Sequence, residues 1–190
     1  MNFCLSWIAI KGPSKASVLQ VLGLTEVAAD VQPLQSKYEV AELPSGWTVI
    51  LAADFNYPSP ARMAAVSLGG KALACSINER TMYSVARFYE DGKAVWSVDH
   101  DGGEKGVYHL DVAGDPPSEL TEVRARLTAR QDEKGGEDSD TDYLIELSGE
   151  LSQVLCGYHF DPQEAAPPFT PLQKVGGRGG GWLRKLFGSQ

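Results

Sequence analysis

A chain of 190 residues is long enough to bury one sizeable hydrophobic core without disulfide or metal staples. A hydrophobic fraction of 43% with 22% charged residues excludes wholesale disorder. The formal charge of −8 is uneven: the last fifteen residues carry Arg178, Arg184 and Lys185 and no acid, so the body has 14 basic against 25 acidic side chains, a net −11 that argues against nucleic acid as the main partner.

The apolar stretch 1–10 has no positive residue ahead of it and is broken by Lys11, Gly12 and Pro13. It is too short to span a bilayer and reads as a buried strand over 4–11 rather than a secretion signal, with the cytoplasm as the simplest address. Ser14 is placed to cap a helix running to Leu22, with Val18, Leu19 and Leu22 on one face and Gly23 as terminator. Residues 25–36 show no period and contain Pro33, and are expected to form a loop. Runs at 38–43 and 47–53 flank Pro44-Ser45-Gly46 and predict a hairpin. Ser59-Pro60 opens a second helix that ends at Gly69-Gly70, and 71–77 returns as a strand.

The order to this point is β-α-β-β-α-β, the split βαβ or ferredoxin-like sequence of elements. A three-stranded meander is expected to extend it. Strands at 82–89 and 94–99 flank Asp91-Gly92, a strong hairpin signal, and 107–113 follows a glycine-rich turn at 101–103. Leu120, Val123 and Leu127 recur at helical spacing in a helix reaching Lys134, with Glu122 and Arg126 as an i,i+4 pair. Residues 132–142 hold six acids and one lysine and read as an exposed, mobile loop. A short strand at 143–147 and a last helix from a Ser148 cap to Cys156 complete an α+β fold built on a mostly antiparallel sheet. The expected organisation is one domain over 1–160, a Pro/Gly-rich linker over 161–181 and a basic-aromatic tip over 182–190.

Three widely spaced cysteines, Cys4, Cys75 and Cys156, form neither a disulfide framework nor a zinc motif and read as free thiols. Nucleophile-elbow, P-loop and H-E-x-x-H patterns do not occur, and no cofactor is implied. Asp99, His100, His109 and Asp111 are the weak candidates for catalysis, because an imidazole between carboxylates can act as a general base or help hold a divalent metal. The competing reading is the solvated face of a half-buried sheet. A calcium loop starting at Asp99 fails at its twelfth position, which is Leu110 where a bidentate glutamate is required.

The tip offers a different chemistry. On a helix, Trp182, Leu183, Leu186 and Phe187 would share one face, with Arg184 and Lys185 turned away from it, a pattern suited to a partner groove or an anionic surface. The sequence therefore favours a non-catalytic intracellular binding or adaptor protein for a basic protein partner, of which a toxin-neutralising inhibitor of the immunity type is one form by analogy of size and composition. The alternatives are a small metal-assisted or acid–base enzyme using the His109, Asp111 and Asp99 face, and a peripheral membrane protein held weakly by its tip. Oligomeric state is not legible.

Overall fold

Strand β1, Cys4–Lys11, is the axis of the fold, because Trp7, Ile8, Ala9 and Ile10 are all fully buried and alternate between two separate cores. The computed structural model describes residues 3–27, 36–160 and 168–176. Within them one wholly antiparallel sheet contains β2 (Leu24–Glu26), β3 (Tyr38–Glu42), β4 (Thr48–Ala52), β5 (Lys71–Asn78), β6 (Tyr83–Glu90), β7 (Lys93–Asp101), β8 (Asp111–Gly114) and β9 (Thr170–Lys174), in the spatial order β2-β9-β3-β4-β1-β5-β6-β7-β8. The fold is α+β, as the sequence predicts. The expected β6–β7 hairpin closes through Asp91 and Gly92, both at positive φ (46° and 80°), which suits the right-handed twist of the paired strands.

Helices cover both faces. Helix α1 (Lys15–Leu22) is capped by Ser14 Oγ, which accepts the Ser17 amide, and α2 (Pro60–Val66) by Ser59 Oγ, which accepts the Arg62 amide. Val18, Leu19, Met63 and Val66 from these helices pack on Ile8, Ile10, Ile50 and Ala74. Against the other face lie α4 (Glu119–Glu133) and α5 (Leu147–Cys156), whose Leu120, Val123, Leu127, Leu147 and Leu151 meet Trp7, Leu73, Cys75 and Val98. Trp7 Nε1–H donates to Ser152 Oγ at 2.8 Å and so fixes α5 to β1.

Several expectations are corrected. The loop expected over 25–36 begins with residues of strand β2, the linker expected over 161–181 contains β9, and β9 sits between β2 and β3. The strand expected over 107–113 is reduced to β8, and the turn before it holds a short helix, α3 (Gly102–Lys105), capped by Asp101. Residues 143–147 are not a strand. Asp142 Oδ1 accepts the amides of Leu144 and Ile145, which winds Leu144–Glu146 into a 3-10 turn that runs into α5. Ser148 therefore does not cap the helix; it lies inside the first turn, fully buried.

The acidic segment 132–142 is likewise pinned. Fully buried Gln131 donates through Nε2 to the carbonyls of Gly136 (2.7 Å) and Thr141 (3.0 Å), and its Oε1 accepts the Tyr143 amide at 2.8 Å. Arg126, expected to pair with Glu122 on its own helix, reaches α5, where its Nη2 meets Glu150 Oε2 at 2.6 Å.

Candidate binding cleft

The four residues singled out for acid–base or metal chemistry go to three separate places. Asp99 lies on the sheet face away from α4 and α5, where its Oδ1 accepts from Tyr83 Oη at 2.7 Å and Arg87 Nη2 at 3.0 Å. Burial, then the hydrogen bond to Asp99, pushes the Tyr83 phenol up to about 12.

His100, the next residue on β7, points to the opposite face and is fully buried. Its Nδ1 lies 2.8 Å from the carbonyl of His109 and its Nε2 lies 2.8 Å from Asp142 Oδ2. A carbonyl can only accept, so Nδ1 carries a hydrogen, and a second proton must lie between Nε2 and the carboxylate. Ser84, opposite His100 in the ladder, has an unpartnered buried hydroxyl. It is not an activated nucleophile, because both ring nitrogens of His100 are already engaged.

His109 accepts the Asp101 amide at Nδ1 (3.0 Å) and turns Nε2 to Asp111 Oδ2 (3.1 Å). Lys105 Nζ also meets Asp111, at 2.9 Å, and its hydrogen bond, with a smaller contribution from His109, holds the Asp111 carboxyl below its ordinary value. These contacts tie α3 and β8 together at the sheet edge. Among the described residues no group of three or more His, Cys, Asp or Glu side chains is placed to hold a metal ion. The tip residues Trp182, Leu183, Arg184, Lys185, Leu186 and Phe187 lie outside the described residues.

A different set of side chains converges. At the end of the sheet where β1 begins and β5 finishes, a cleft of about 530 Å³ opens between the strands and α4 and α5. Its mouth is clamped reciprocally: the Phe3 amide donates to Glu79 Oε2 at 2.8 Å, and the Glu79 amide to the Phe3 carbonyl at 2.9 Å. Phe3, Ile77, Met82 and Phe160 supply its apolar surface. Phe160 stands edge-on to Phe3 (5.4 Å between centroids), leans on Trp7 (5.5 Å) and stacks with His159 (4.8 Å). This aromatic wall needs the glycine at 149 in α5, since a Cβ there would come within 2.6 Å of His159 Nε2 and 2.9 Å of Phe160 Cε1.

Carboxylates ring the apolar surface. Glu79, Asp140, Glu146 and Glu150 line the cleft together with Arg130, while Asp142, also on the lining, shares its proton with His100. Arg130 Nη1 pairs with Glu146 Oε2 at 3.0 Å, its guanidinium 4.3 Å above the Tyr143 ring, and Arg126 neutralises Glu150 from behind. Four carboxylates thus face two guanidinium groups and two negative charges remain. Burial raises the Glu146 carboxyl above its ordinary 4.5 against the opposing pull of Arg130, and neighbouring Glu150 adds to the rise.

The site residues come from positions 3, 79, 140, 146, 150 and 160, and no local motif joins them. One signal was present: Arg126/Arg130 and Glu146/Glu150 are each spaced i,i+4, a match that has meaning only if the two helices are neighbours. Comparison with family models, curated proteins and solved structures finds no match for the chain.

Proposed function

We propose that this protein is a non-catalytic binding protein whose cleft receives a basic, partly apolar segment of a partner protein. The supporting observation is the surplus of two carboxylates around an aromatic and aliphatic surface. An arginine or lysine carries its charge on an apolar stem, so its head can meet Glu79 or Glu146 while the stem lies on Phe3, Met82 and Phe160. Because Arg126 and Arg130 already hold two of the acids in place, the carboxylates are ordered before a guest arrives. The acidic body would draw a basic partner in and make association sensitive to salt. A protein that neutralises a basic target is one form of this function.

The test is a titration of the isotope-labelled full chain with short capped peptides, one bearing Arg among leucines and one bearing Glu at the same places. The Arg peptide is expected to shift the amide signals of Glu79, Glu146, Glu150 and Phe160, and the Glu peptide to leave them unmoved. Equal shifts with both peptides, or shifts confined to another surface, would overturn the proposal.

The same titration has a pH signature. The folded state holds a proton on Glu146 more tightly than an ordinary carboxyl, so the protein loses stability as pH rises from 4.5 through the raised value. A cationic guest favours the carboxylate and expels that proton. Affinity for the Arg peptide is therefore expected to climb with pH across this interval, and Glu146→Gln is expected to flatten the climb.

A further inference from the structure

We infer that residues 182–187 of the same chain, Trp-Leu-Arg-Lys-Leu-Phe, occupy this cleft in cis and compete there with the basic guest. This rests on the reading of the cleft as a receptor for basic, partly apolar groups.

The register of the sheet brings the tip to the right end of the molecule. Leu172 pairs with Tyr38, Tyr38 with Ala52, Ala52 with Ser6 and Ser6 with Ser76. Two residues further on, Lys174 is level with Cys4 and Asn78, and the next residues outward from those two are Phe3 and Glu79 at the cleft mouth. Strand β9 stands three places from β1 and four from β5, a lateral distance of roughly 14–19 Å at about 4.8 Å per strand. The chain between Val175 and Trp182 can extend to about 23 Å, enough to cover that distance.

Chemistry then selects among the hollows at this end. The one beside β9, lined by Lys37 and Lys174 with no acid, repels Arg184 and Lys185. Its neighbour, with Lys37 and Asp54, is balanced. The cleft alone of these three carries a negative surplus, of two charges, which matches the two adjacent cations of the tip. Its Phe3, Ile77, Met82 and Phe160 likewise offer an apolar surface that suits the apolar side chains of Trp182, Leu183, Leu186 and Phe187.

The experiment compares three full-length proteins: the intact chain; a tip variant with Trp182→Ser, Leu183→Ser, Leu186→Ser and Phe187→Ser; and the tip variant with Glu146→Lys and Glu150→Lys added. The probe is a dye-labelled synthetic peptide of residues 176–190, followed by fluorescence anisotropy. The peptide is expected to bind the tip variant, to bind the intact chain about tenfold more weakly because a short tether supplies a millimolar competitor, and to lose binding to the third protein. Equal affinity for the first two would overturn cis occupancy, and undiminished binding to the third would place the peptide elsewhere.

Carbodiimide coupling of the intact monomer guards against misfolding of the charge-reversed protein. Lys185 is expected to couple to Glu79, Asp140, Glu146 or Glu150, and coupling only to acids outside the cleft would overturn the inference. The Arg peptide separates this inference from the reading beneath it. If it binds the cleft equally well in the intact chain and the tip variant, cis occupancy falls and the receptor reading stands. If it binds neither, both fall.

Discussion

His100 is fully buried and Asp142 nearly so, and each also organises backbone nearby. His100 holds the His109 carbonyl, and Asp142 starts the turn that leads into α5. Removing one member of a buried pair strands the other, which typically costs about 3–5 kcal/mol. Asp142→Ala is therefore expected to lower unfolding free energy by that amount in urea denaturation. Asp142→Asn keeps an oxygen for the Leu144 and Ile145 amides and offers an N–H to a neutral imidazole, so its loss is expected to stay below about 1.5 kcal/mol. The backbone is equally committed here, since a Cβ on Gly102 would overlap the Asp142 carboxylate. In the sequence Asp142 is one acid among six in a polar run, and only the fold reveals a partner 42 residues earlier.

Helix α4 and the segment after it act as one element because Gln131 binds three backbone groups of that segment. Gln131→Leu preserves the bulk and leaves those groups unpaired, at an expected cost of about 2–3 kcal/mol. Hydrogen exchange at 136–143 should accelerate more than exchange in the strands, because the substitution unfastens one side of the cleft before it touches the sheet. Strong periodicity makes the long helix legible: Leu120, Val123 and Leu127 are all buried, as their spacing predicts. The 143–147 stretch is not legible in the same way, because a short apolar run does not distinguish a strand from a buried helical turn. What decides it is a side-chain cap from Asp142, itself held by His100. The cleft is hidden for a related reason: its acids become a site only when α4 lies against α5 and both lie over the beginning of β1.

At the scale of the whole molecule, the central strands and both hairpins can be read from the sequence, since they are continuous apolar runs separated by strong turn residues. The two strands that escape such a reading, β2 and β9, have three and five residues, and β9 contains Pro171. β2 depends on β9, which among the described residues is its one ladder partner, and β9 is held on its other side by β3; Leu24 pairs with Lys174 across most of the chain. A protein stopped after Phe160 is therefore expected to lose β2 from the sheet, expose the free edge of β3 and self-associate, which sedimentation velocity would detect as a concentration-dependent rise in mass. Intact protein should sediment as before under the same conditions. Biosynthesis meets the same difficulty every time the chain is made. Translation delivers β3 long before β9, so a half-made molecule emerges from the ribosome with its sheet open on one flank. Until residue 174 has cleared the exit tunnel, the strand that pairs with β3 is not there to close that flank.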